Sequence, residues 1–147
     1  MRILCSKPAP PTLAETGVTP PPRVLLVIPG QWPRALLRAE LRERGCDALG
    51  ARDLGEAMIH PAIAPARGPV RLVVIDQDAL AGAGEASVTR VLQRHAGSVA
   101  MLLARGGTMP PAGPWQRVIH RPVTIAAIAD AVLELVPIPA QHRHPVD

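Results

Sequence analysis

The chain contains no phenylalanine and no tyrosine, and tryptophan occurs only at Trp32 and Trp115. A core must therefore be assembled from aliphatic side chains, and the aromatic platforms on which single-stranded nucleic acids stack are missing. Lysine occurs once, at Lys7, so nearly all the positive charge is arginine. Cysteine is equally scarce. Cys5 and Cys46 make neither a C-x-x-C pair nor a disulfide framework, which fits a reducing, cytoplasmic setting. Apolar runs stop at strand length, as in Val24 to Ile28, so nothing spans a bilayer, and the opening Met1-Arg-Ile-Leu4 is too short for a signal peptide.

A formal net charge of +4 raises the question of nucleic acid. The arginines, however, are spread along the chain and interleaved with acids, as in Arg38-Ala-Glu-Leu-Arg-Glu-Arg44. That is not the footprint of a basic groove, and no nucleic-acid partner is expected.

A length of 147 residues with 48% hydrophobic residues suffices for one domain with a real core. Residues 1–22 hold Pro8, Pro10, Pro11, Pro20, Pro21 and Pro22 and read as a Pro-rich disordered tail. Residues 23–137 read as the domain, and 138–147 as a flexible C-terminal tail. Val24–Ile28 is a continuous apolar run closed by Pro29-Gly30, the pattern of a strand buried on both faces. Pro33 suits the first turn of a helix in which Leu36, Leu37 and Leu41 face inward, and Gly45 ends it. The stripe Arg34, Arg38, Arg42 on that helix reads as a solvated face. A weaker strand at 46–51 and a short helix at 54–60, cut by Pro61, follow.

Val70–Ile75 is the second strongly buried strand, and it runs into Asp76-Gln77-Asp78. After a small-residue loop at 79–84, a helix is expected over 85–95, with Val88, Val91 and Leu92 inward. Val99–Leu103 and 116–120 are further strands, and a last helix runs over 124–136 with Ile125, Ile128 and Val132 on one face. Between Leu103 and Gln116 the glycines and prolines leave no helical pattern. Apolar strands joined by helix-length crossovers imply a parallel sheet covered on both faces, with ligands collecting at the carboxyl ends of the strands.

The order and spacing of these segments resemble a bacterial response-regulator receiver domain. Arg23-Val-Leu-Leu-Val matches that family's first strand, Val73-Val-Ile-Asp76 the strand ending in the phosphate-accepting aspartate, Val99–Arg105 its fourth strand, and Arg121-Pro122 the usual Lys-Pro. The resemblance implies a flavodoxin/CheY-like doubly wound α/β fold, a five-stranded parallel sheet ordered 2-1-3-4-5, here with the fourth helix short or missing. It also implies that Asp76 holds the phospho-acceptor position, with a pocket formed by Ile28, Pro29, Asp78, Leu103 and Arg121. Ile28 and Pro29 stand where the family has a metal-binding acidic pair, and they offer a hard cation no carboxylate. Leu103 replaces its Thr or Ser. Trp32 is expected as a lid over the altered pocket, helping to exclude Mg²⁺.

The resemblance with these departures implies a degenerate pseudo-receiver: no enzyme, no cofactor and no metal, but a protein-interaction module in bacterial signalling. Its partners would be proteins such as a signalling kinase or an output protein, with a homodimer open as well and no membrane contact. Two alternatives stand beside this reading. One is an atypical phospho-acceptor using Asp76 with Asp78; the other is a sensor of a small anion near Arg105, Gly106, Gly107 and Arg121. Gly82 and Gly84 read as turn residues, and Trp115 as a new anchor in the remodelled partner surface. His95 and His120 lack a nucleophile partner, and His142 with His144 lack further metal ligands.

Overall fold

In a computed structural model of the chain, residues 19–61, 63–64 and 66–139 are described. The expected tails, with Cys5, His142 and His144, fall largely outside them. The strands are β1 (Arg23–Val27), β2 (Asp47–Ala51), β3 (Ile63–Ala64), β4 (Gly68–Asp76), β5 (Val99–Ala104) and β6 (Trp115–His120). The helices are α1 (Gln31–Glu43), α2 (Leu54–Ile59), α3 (Glu85–Arg94) and α4 (Ile125–Leu135). Five strands pair in parallel in the order β2-β1-β4-β5-β6, the expected 2-1-3-4-5 arrangement. The two-residue β3, which the sequence did not suggest, adds antiparallel to the start of β4. No helix among the described residues is long and apolar enough to cross a membrane.

Alternation along the strands sends side chains to two separate cores. Val24, Leu26, Leu72, Val74, Met101 and Leu103 meet Leu37 and Leu41 of α1 and Ile128 and Val132 of α4. Leu25, Val27, Val73 and Ile75 meet Leu54 and Ala57 of α2 and Val88 and Val91 of α3. Each of the Val, Leu, Ile and Met side chains, taken fully out of water, contributes roughly 1.5–3 kcal/mol. The packed unit reaches one residue further than expected at each end, because Pro22 is buried and Ile138, 7% exposed, joins the first core.

Helix ends are set locally. Gly45 takes φ 100° after α1, Asp53 accepts from the Glu56 N–H at 2.7 Å to start α2, and Thr124 accepts from the Ala127 N–H at 3.1 Å to start α4. Two expectations about α1 are corrected. Leu36 points outward, because it lies about 100° round the helix from Leu37 and both cannot face the sheet. Nor is the arginine stripe merely solvated. Arg34 Nη1 donates to the Ile28 carbonyl at 2.7 Å and Arg38 Nε to the Ala48 carbonyl at 3.1 Å. With His60 Nε2 at 2.9 Å from the Gly50 carbonyl, the open edge of β2 is covered by side chains instead of being left for another strand.

The fourth helix of the expected pattern is absent: residues 105–114, between β5 and β6, contain no helix. That connection is held by Trp115, whose Nε1 donates to the Pro111 carbonyl at 2.9 Å while its indole lies against Gly113.

Candidate functional site

The polar residues of interest converge at the carboxyl edge of the sheet. Asp76 is the last residue of β4, and its backbone turns there into a 3₁₀ turn, Gln77–Leu80, that occupies part of the expected loop. Asp76 caps this turn: its Oδ1 accepts from the Asp78 N–H at 2.8 Å. Arg121 follows the end of β6 and is joined to Pro122 by a cis peptide bond. Its guanidinium makes a fork with the Asp76 carboxylate, Nη1 to Oδ1 at 3.3 Å and Nη2 to Oδ2. Asp76 is 3% exposed, so both its oxygens are spent on partners away from water. A buried carboxylate is tolerable only when paired and hydrogen-bonded in this way.

A cavity of about 380 Å³ opens above the pair. Ile28, Asp76, Asp78, Leu103 and Arg121 line it, together with Trp32, Leu36, Val123, Ile125 and Ile128, so all the expected pocket residues except Pro29 meet around one space. Pro29 is exposed and is not among the lining residues. Trp32 does not close the cavity as a lid. It stands at the rim 74% exposed, because its place in the first turn of α1 turns it away from the sheet.

Asp78 takes Arg105, whose Nε and Nη2 both donate to Oδ1, at 2.9 and 2.7 Å, and it lies 3.9 Å from Arg121. The chain of charges Asp76, Arg121, Asp78, Arg105 alternates in sign along the rim. Gly106 sits against the Arg121 carbonyl, where no side chain would fit, and Gly107 takes φ 75°. Arg105 also lines a separate cleft of about 190 Å³ with Leu80, Val88, Pro111 and Trp115, on the face the absent helix would have covered.

The donor set does not suit Mg²⁺. The two carboxylates of the cavity are each held by an arginine, Ile28 contributes a methyl-bearing chain where a third oxygen would be needed, and no group of three or more potential ligands exists among the described residues. His120 is exposed at the end of β6. His95, which sequence reasoning left without a role, is buried and binds the Ala57 carbonyl through Nε2 at 2.9 Å. Ala57 needs that partner because the residue four ahead is Pro61, which has no N–H to give. The pairing could have been suspected from Ala57 and Pro61, but nothing in the sequence says which side chain answers.

A doubly wound parallel domain with its polar residues gathered at the carboxyl strand ends defines the class. Within it, the fold is that of the response-regulator receiver (CheY-like) domains. The receiver domain of the hybrid histidine kinase CckA superposes with a TM-score of 0.59 at 22% identity, covering 78% of this chain and 98% of that one. The signal receiver domain of an HD domain-containing protein from Pseudomonas fluorescens Pf-5 gives 0.64 at 19% identity, covering 79% and 94%. The Vibrio cholerae chemotaxis protein CheY4 gives 0.60 at 16%, covering 79% and 99%. No family model and no curated protein matches the sequence.

Proposed function

We propose that this chain is a receiver-fold protein-interaction module of bacterial signal transduction that works without phosphorylation, binds no Mg²⁺ and catalyses nothing. One observation carries the reading: the buried Asp76 carboxylate already has Arg121 on both oxygens and the Asp78 N–H on one of them. A phosphoryl acceptor needs a free oxygen facing the phosphorus, and cations arranged around the transferring group to neutralise its charge. Here the one cation in contact neutralises the acceptor itself. A protein partner is supported by the fold: the receiver domain of the Saccharomyces cerevisiae response regulator Ssk1, similar to this chain with a TM-score of 0.59 at 15% identity, was crystallised with the histidine phosphotransfer protein Ypd1. The anion-sensor alternative has little to rest on, since Arg105 and Arg121 are each paired with a carboxylate.

The test is a thermal-shift titration with Mg²⁺ and beryllofluoride, a mimic of an aspartyl phosphate. A ligand of the native state at ~100 times its Kd adds about 2.7 kcal/mol, which a melt detects readily. The expected result is no shift. A shift that disappears in Asp76→Asn overturns the proposal.

A further inference from the structure

Helix α1 carries two stripes. Leu37 and Leu41 are buried against the sheet. On the other side Trp32, Ala35, Leu36, Ala39, Arg42 and Glu43 recur at intervals of three, one, three, three and one, and every one of them is exposed. Trp32 is 74% and Leu36 54% exposed, in a chain with only two aromatic residues. The charge that could have broken this stripe, Arg34, is turned in to the Ile28 carbonyl. The first two turns therefore present a surface without charge, and Arg42 at its far end has no carboxylate partner among the described residues.

We infer that this stripe is a self-association surface on which a second copy docks through α1, with the two helices antiparallel. A two-fold axis at the level of Leu37 sets Ala35 opposite Ala39 of the second copy, and Ala39 opposite Ala35. The small side chains let the helix axes approach to the 8–10 Å typical of close packing. The same axis sets Trp32 opposite Arg42 of the second copy, a guanidinium over an indole face, and Gln31 opposite Glu43. The unpaired cation and the exposed aromatic thus answer each other twice, as an isologous contact requires. The parallel arrangement would set Arg42 on Arg42 and is excluded by charge. A charged peptide would find nothing to pair with over the two turns that carry Trp32 and Leu36.

The stripe is roughly 16 Å long at 1.5 Å per residue. One helix face of that length falls short of the ~800 Å² per partner of a stable complex, so the dimer is reversible and concentration-dependent. The inference goes beyond the reading of Asp76, because none of the stripe residues bonds to the Asp76–Arg121 pair. Trp32 and Leu36 do line the cavity, so the second copy lies across its mouth.

Sedimentation velocity on the full chain, from ~10 μM to ~1 mM, reads the association directly. A reversible monomer–dimer equilibrium is expected, weakened at least tenfold by Trp32→Ala and abolished by Ala39→Arg, which sets bulk and like charge near the axis. Arg42→Glu weakens it as well. All three positions are exposed, so circular-dichroism melts should match the parent chain, and Asp76→Asn should dimerise unchanged. A chain monomeric at every concentration overturns the proposal, and so does a dimer indifferent to Trp32→Ala and Ala39→Arg.

Discussion

On one face of the sheet α1 and α4 lie over Leu26, Val74, Met101 and Leu103, and the polar ties there, Arg38 to the Ala48 carbonyl and Arg44 to Asp130, sit at the margin of that apolar contact. On the other face α2 is only six residues long, α3 covers one flank, and the remaining flank is closed by an irregular connection pinned under Trp115. The first cover is cooperative and redundant. The second depends on single polar and special residues: Pro111 for the Trp115 N–H, Gly113 beneath the indole, and His95 for the Ala57 carbonyl. Burial is complete on both faces, since Leu26 and Leu102 are each 0% exposed, yet what holds the covering elements differs.

Paired truncations break or sharpen this contrast. Leu26→Ala, under two regular helices that cannot collapse into the hole, should cost about 4 kcal/mol. Leu102→Ala, on the second face by its pairing with Ile75, should cost only about 2 kcal/mol, because the connection above it can settle inward. Urea unfolding of the two variants decides the matter, and equal losses would abolish the distinction. Next in size is Gly113→Ala. Its Cβ would stand 2.5 Å from Trp115 Cε2, an overpacking worth about 2 kcal/mol. Adding Trp115→Leu should return part of that loss. If the double variant is as unstable as the sum of the singles, the indole is not what fixes the connection.

How far the sequence could be read follows the same division. The parallel strands, their order and α4 were legible because buried strands read as apolar runs and helices as a 3.6-residue period, signals that need no knowledge of neighbours. The missing fourth helix was legible too, from prolines and glycines. The convergence of Asp76, Asp78, Leu103, Ile28 and Arg121 followed from the strand order. What escaped was set by how the elements sit on one another in space. Arg34 turns onto the Ile28 carbonyl just past β1 and Arg38 onto the open edge of β2, placements set by how α1 lies along the sheet. The outward Leu36 depends on the rotation of α1, which two adjacent leucines leave undetermined. The two strand residues at Ile63 and Ala64 sit between prolines, where local pattern carries no strand signal.

The smallest effect belongs to His95 and isolates the second face by pH. Of the buried polar residues Arg23, Asp76 and His95, only a histidine ordinarily titrates near neutrality. Burial holds its pKa below the usual 6.5, and Arg94, His60 and Arg23 push in the same direction, while the bond to Ala57 opposes them. Its Nδ1 is buried without a partner, so a second proton there would gain no acceptor. The unfolded chain therefore takes up a proton near pH 6.5 that the native chain refuses. Stability accordingly falls as pH drops through that value, and levels off once the native imidazole is also protonated. The slope from this one site is at most ~1.4 kcal/mol per pH unit. His95→Gln keeps a donor for the Ala57 carbonyl but removes the titration, so its stability should lack that slope between pH 7 and the native value. Hydrogen exchange at α2, whose local opening exposes His95 to water and lets it take that proton, should quicken over the same range beyond the intrinsic change, while α1 and α4 stay protected. Equal acceleration on both faces would show that the acid response is global and that the two covers are not independently held.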